Sequence, residues 1–148
     1  MLSAAISILL ALAAGLSIVV QQALNANLRV EFGSAAWSGF VSYFVGLLCM
    51  AIVVLAWRDP LPSAVAIVRI PWWAWSGGLF GAIFIMLAIF LLPKLGAATF
   101  IALLVAGQML ASVAFDHFGW LGLAQRPVDL PRVIGVLLLV GGVVLIRR

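Results

Sequence analysis

Residues 2–28, LSAAISILLALAAGLSIVVQQALNANL, run up to Arg29 without a single charged side chain, and how they are read decides the fold. A helix rises ~1.5 Å per residue, so about 20 apolar residues cross the ~30 Å of a bilayer's hydrocarbon. The stretch is long enough to do so. A helix buried in a soluble core is the competing reading, and composition excludes it. Of 148 residues, 67% are apolar and 8% are charged, against about 25% charged in soluble domains. The mean hydropathy of +1.33 agrees. The chain is an integral membrane protein, which rules out a soluble enzyme, a nucleic-acid module and a disulfide scaffold. The lone Cys49 has no internal partner to oxidise with.

Outward from this segment the apolar runs repeat. They predict an all-α membrane protein with one transmembrane domain over residues 1–148. Its five spans cover about residues 2–28, 35–57, 72–92, 96–116 and 132–147. Breaks fall at Arg58-Asp59-Pro60, before Pro93-Lys94 and at Asp116-His117, and Pro71 and Pro131 sit at helix starts, where the missing N–H does no harm. A cleaved signal peptide would carry a basic n-region and a short apolar core. No Lys or Arg precedes Arg29, so the first helix is expected to be retained. No loop is long enough for a globular domain, so function is expected inside the helices.

Five spans make the loops alternate between two faces. Arg58, Arg69, Arg126 and Arg132 fall on the face of the N-terminus, and Arg29, Lys94, Arg147 and Arg148 on the other. The count is four against four. Orientation follows an excess of Lys and Arg on the cytoplasmic side, and here there is none. The balance predicts dual topology, with copies inserting both ways and pairing as an antiparallel homodimer. A weak loop-specific preference for one orientation is the alternative. Many transporters are built from inverted repeats with the site at their interface, and an antiparallel dimer supplies that arrangement from one short chain.

The polar residues inside the spans are candidates for a lining. At 100° per residue, Ser3, Ser7, Ser17, Gln21 and Asn25 fall within about 80° of one another on the first helix, with Gln22 beside them. Amides are costly in hydrocarbon without partners, so this face is expected to meet protein or a water-filled path. Gln21, Gln22 and Asn25 offer donors and acceptors for a substrate. Interhelical hydrogen bonding is the packing alternative, worth ~0.6 kcal/mol per bond. Ser38 and Ser42 follow Ser34 at one-turn spacing on the second helix, as Ser112 and Asp116 follow Gln108 on the fourth. Gln108 lies near mid-span. Asp116 and His117, at the membrane boundary, are candidates for a gate or proton site, with a solvated helix end as the alternative. No charged residue lies in the middle of a span.

Gly77 with Gly81, and Gly135 with Gly142, have the spacing of helix-packing or dimer contacts. Trp72, Trp73 and Trp75 fit an interfacial aromatic belt. The sequence holds no catalytic constellation, no metal-ligand cluster and no cofactor motif, so neither an enzyme nor a cofactor is expected.

Several segments together resemble the YdcZ-like inner-membrane exporters of the drug/metabolite transporter superfamily. They are Gly15 to Leu28 with its Gln21-Gln22-Ala23-Leu24-Asn25-Ala26-Asn27 run, Trp75 to Ala82, Lys94 to Ala98, Ala106-Gly107-Gln108, Asp116-His117-Phe118-Gly119 and Arg126-Pro127. The resemblance spans nearly the whole chain. It implies a bacterial inner-membrane, multi-pass protein, half of a ten-helix transporter, in a family that includes dual-topology members. Phe84, Ile85, Met86 and Leu87 depart from it, because members carry a Tyr and small hydroxyl residues there.

The expected function is movement of a small molecule by alternating access in an antiparallel homodimer. Gln21, Gln22, Asn25 and Gln108 would line the path, supported by Ser38, Ser42 and Ser112. The expected partners are a second copy, the lipid bilayer and an unidentified small-molecule substrate, with no nucleic acid. A dual-topology channel and a non-transporting partner subunit are the alternatives.

Overall fold

The computed structural model describes residues 2–147, with side chains from Ala4 onward. The Ser3 side chain and Arg148, both used in the sequence reading, lie outside the described residues. Among the described residues the regular elements are helices: α1 (Leu2–Phe32), α2 (Ala35–Trp57), α3 (Ala64–Arg69), α4 (Gly77–Leu95), α5 (Ala97–Phe118) and α6 (Leu130–Ile146). Short 3₁₀ turns cover Trp72–Ser76 and Trp120–Gly122. Four helical stretches are long and apolar enough to cross a membrane: α1, α2, α4 with the 3₁₀ turn before it, and α5. The fifth apolar helix, α6, has 17 residues, about 26 Å at the usual rise and the short end of what spans a bilayer.

Local chemistry sets the ends of these helices. Gly33 takes a left-handed φ of 64° after α1, a conformation glycine adopts without strain. Ser34 then caps α2, its hydroxyl accepting from the Trp37 N–H at 3.3 Å. Arg58 closes α2 in the left-handed region. Ser63 accepts from the Ala66 N–H and starts α3, a short helix inside what the sequence presents as a plain connection. Asp129 caps α6 by accepting from the Arg132 N–H at 3.0 Å, with Pro131 in the first turn.

One break differs from expectation. Pro93-Lys94 should end the third apolar helix, yet α4 runs through Pro93 to Leu95 and stops at Gly96, whose φ is 79°. A proline inside a helix has no N–H for the carbonyl four residues back, here that of Ile89. Arg29 of α1 supplies the missing donor: its Nη1 lies 2.9 Å from the Ile89 oxygen. The same guanidinium sits over the Phe90 ring, 4.7 Å from its centroid.

The chain packs as two units, Met1–Pro93 and Lys94–Arg148. In the first, Ala35 of α2 and Ile85 and Ile89 of α4 form the core with Met86 against them. A methyl on Gly39 would lie 3.5 Å from Ile85, an ordinary contact, and one on Gly81 would lie 2.6 Å from the Tyr43 hydroxyl, so side chains fill the space between α2 and α4 at both glycines. The second unit is a hairpin of α5 and α6, closed by an ordered loop. The Arg126 N–H donates to the Asp116 backbone oxygen at 2.7 Å, and Trp120 stacks on Phe118.

Candidate functional site

In the first unit the polar residues of α1 and α2 meet. Gln21 Nε2 reaches Ser42 Oγ at 3.4 Å, a long contact. Ser38 is fully buried and donates to the Asn25 backbone oxygen at 2.7 Å. A groove of about 350 Å³ runs between the two helices. Its polar lining is Ser17, Gln21, Asn25 and Ser42, and valines and leucines supply the rest.

The buried face of α1 is not centred where the serines point. Ser17 and Gln21 are exposed, whereas Gln22 and Asn25 are 1% and 2% exposed. At 100° per residue the packed face is turned about 60–80° toward Gln22 and Arg29, and Asn25 stands where it meets the serine stripe. Asn25 is buried and also lines the groove. Neither Nε2 nor Oε1 of Gln22 has a hydrogen-bond partner, nor has Nδ2 of Asn25. An unsatisfied buried polar atom costs roughly 1–3 kcal/mol. Three such atoms within one helical turn are a destabilising arrangement that packing alone does not explain.

The second unit carries the other polar cluster. Asp116 of α5 and Arg132 of α6 pair at 3.5 Å, both about one-third exposed. They border a groove of about 410 Å³ together with Ser112 and Gly135. His117 adjoins Asp116 in sequence but serves the loop: its Nδ1 accepts from the Val128 N–H at 3.2 Å, and its backbone oxygen accepts from Gln125. That geometry ties the α5 end to the start of α6. Gln108, two turns before Asp116, is exposed and lines neither of these grooves. It has no hydrogen-bond partner among the described residues.

The structure thus brings Gln21, Asn25 and Ser42 to one groove and Ser112 and Asp116 to another. Gln22 and Ser38 are buried beside the first. Of the four glycines, Gly81 abuts Tyr43 of α2, while a methyl at Gly77, Gly135 or Gly142 would meet nothing within 4 Å. Sequence reasoning counted Arg29 and Arg132 only as topology charges. Pro93 flagged an orphaned carbonyl at Ile89, but nothing local to α4 pointed to a donor on α1. Arg132 was more accessible to reading, since Asp129 at the cap and Pro131 after it place it in the first turn of α6.

The chain is 27% identical over 137 residues to a protein named "Inner membrane protein YdcZ" from Escherichia coli (strain K12), covering 93% of this chain and 92% of that one. No solved structure matches it. With four helices apolar enough to span, the protein is a multi-pass protein of the inner membrane. The matching family is one of membrane exporters and not of enzymes. Residues 6–145 match that family, described as "Putative inner membrane exporter, YdcZ", and the chain belongs to it.

Proposed function

We propose that this chain is a small-molecule transporter of the drug/metabolite class, working by alternating access as a dual-topology antiparallel homodimer of one five-span transmembrane domain. The α1/α2 groove carries the reading. It offers the hydroxyls of Ser17 and Ser42 and the amides of Gln21 and Asn25 at the membrane-spanning segments. An apolar cavity with a few placed polar groups is what a small-molecule site needs. The substrate contacts are Gln21, Asn25 and Ser42 in the first unit, with Gln22 and Ser38 buried behind them, and Gln108 and Ser112 in the second.

The dimer supplies what one chain lacks. Gln108 is exposed on a helix apolar enough to span, and hydrocarbon is a costly setting for an amide. A polar path formed between two copies gives it partners. The balance of four cations against four leaves both insertions open. Asp116, paired with Arg132 across the α5–α6 groove, acts as the gate, and His117 holds the loop beside it. Gly77, Gly135 and Gly142 are open within the chain and give close contact to the second copy, while Gly81 takes the Tyr43 side chain.

Reconstituted liposomes test the reading. Saturable exchange of labelled for unlabelled compound by the purified chain, across a panel of small amphipathic molecules, is the expected result. Large unsaturable currents would replace the carrier with a channel. No flux and no dimer would leave a partner subunit.

A further inference from the structure

The ion pair at the loop end of the α5–α6 hairpin is loosely made and only partly used. Arg132 Nη1 stands 3.5 Å from Asp116 Oδ2 and 3.4 Å from the Arg126 backbone oxygen. Both distances exceed the ~2.7–2.9 Å of a well-formed charged hydrogen bond. Among the described residues, Nε and Nη2 of Arg132 and Oδ1 of Asp116 have no hydrogen-bond partner. Both side chains line the groove and each is about one-third exposed, so a ligand lying there reaches them. An ion pair this exposed holds weakly against a competing partner.

The rest of the groove runs away from the loop. Met109 and Val113 lie two turns and one turn back along α5, and Val136 and Leu139 one and two turns forward along α6. The site therefore has a charged end and an apolar body, and its volume of about 410 Å³ is at the small end of small-molecule sites. The two charges decide what fits. An anion drawn to Arg132 meets the Asp116 carboxylate beside it, and a cation drawn to Asp116 meets the guanidinium. An uncharged ligand covers both groups without replacing the water they lose. A zwitterion pairs with both. Because the protein's charges are 3.5 Å apart, the ligand's must lie as close together, as they do on the single α-carbon of an amino acid.

From this we propose that the α5/α6 groove binds an α-amino acid with an apolar side chain, its ammonium on Asp116, its carboxylate on Nε and Nη2 of Arg132 and its side chain over Val113 and Val136. The ligand's own charges part the ion pair that acts as the gate. The inference deepens the transport reading, on which it rests for the groove's belonging to a transport path.

The test uses the purified full chain in detergent at pH 7 and equilibrium dialysis of three radiolabelled probes. They are L-phenylalanine, 3-phenylpropanoate, which lacks the ammonium, and phenethylammonium, which lacks the carboxylate. Phenylalanine binds saturably, and each analogue binds about tenfold more weakly or worse, the loss expected for one contact to a charged group. Asp116→Asn weakens phenylalanine about tenfold and strengthens 3-phenylpropanoate. Arg132→Gln weakens phenylalanine equally and strengthens phenethylammonium. A purely structural ion pair would not produce that reciprocal exchange, and the gained binding shows that each variant is folded. Native binding of either analogue as tight as that of phenylalanine overturns the proposal. So does phenylalanine binding that both substitutions leave unchanged, or no saturable binding at all. Displacement of phenylalanine by phosphatidylethanolamine added to the micelles would give the pair to a lipid headgroup and also overturn it. Phenylalanine binding without exchange in liposomes would refute transport and leave this inference standing; exchange of other compounds without phenylalanine binding would do the reverse.

Discussion

Arg29→Met removes the donor that lets α4 continue through Pro93. Two contacts are lost. One is the 2.9 Å hydrogen bond from the guanidinium to the Ile89 oxygen, and a bond from a charged donor contributes about 1.5–3 kcal/mol. The other is the stacking over Phe90 at 4.7 Å, worth about 0.5–1 kcal/mol at a partly exposed site. The substitution should cost about 2–4 kcal/mol, a large effect for one residue at the end of a helix. The decisive comparison is made in a Pro93→Ala background. Alanine restores the N–H at position 93, and the Ile89 carbonyl regains its own helix partner. Arg29→Met should then cost only the stacking part, about 0.5–1 kcal/mol. The coupling of the double-mutant cycle is therefore about 1.5–3 kcal/mol, well above the ~0.3–0.5 kcal/mol scatter of independent sites. Equilibrium unfolding in mixed micelles, followed by helical circular dichroism, reads all four corners of the cycle. Equal costs in both backgrounds would refute the claim that Arg29 serves the carbonyl Pro93 leaves free.

Other perturbations separate packing from function. Gln108→Leu should abolish exchange in liposomes while leaving dimer formation unchanged by crosslinking; normal exchange would make this exposed amide irrelevant to the path. Asp116→Asn weakens an ion pair that is about one-third exposed at each end, so stability should change by less than about 1 kcal/mol while exchange falls sharply. A change of several kcal/mol with exchange intact would make the pair structural instead of a gate. Gly81→Ala brings a methyl to 2.6 Å from the hydroxyl at the tip of Tyr43, a side chain 43% exposed that can swing aside, so it should destabilise by less than about 1 kcal/mol, with Tyr43→Phe restoring most of the loss. No rescue by the phenylalanine would place the cost elsewhere.

The helical membrane class could be read directly from the sequence, because hydrocarbon admits few alternatives to the helix for an unbroken apolar run. Which face of each helix packs could not. The serines of α1 suggested a face through Gln21 and Asn25, and the packed face lies about 60–80° away, through Gln22. In a helix apolar all round, periodicity carries no signal for the buried side, and contact with α2 and α4 decides it. The break expected at Pro93 failed for a related reason. Proline reports a missing donor on its own helix, whereas the replacement came from Arg29, 60 residues earlier. Adjacency in sequence groups His117 with Asp116 as one gate or proton site. Consecutive helical residues point about 100° apart, and His117 turned to the Val128 amide while Asp116 turned to Arg132. The caps at Ser34 and Asp129 were local, and local chemistry can be read.

A cation balance of four against four should yield two orientations of one chain. Reporters active only in the cytoplasm and only in the periplasm, each fused after Arg148, test it most directly. Signal from both at comparable expression is the expected result, and adding two lysines to the 58–69 loop should silence one of them. Signal from a single reporter in the unmodified chain would mean one fixed orientation, leaving the antiparallel homodimer without its basis.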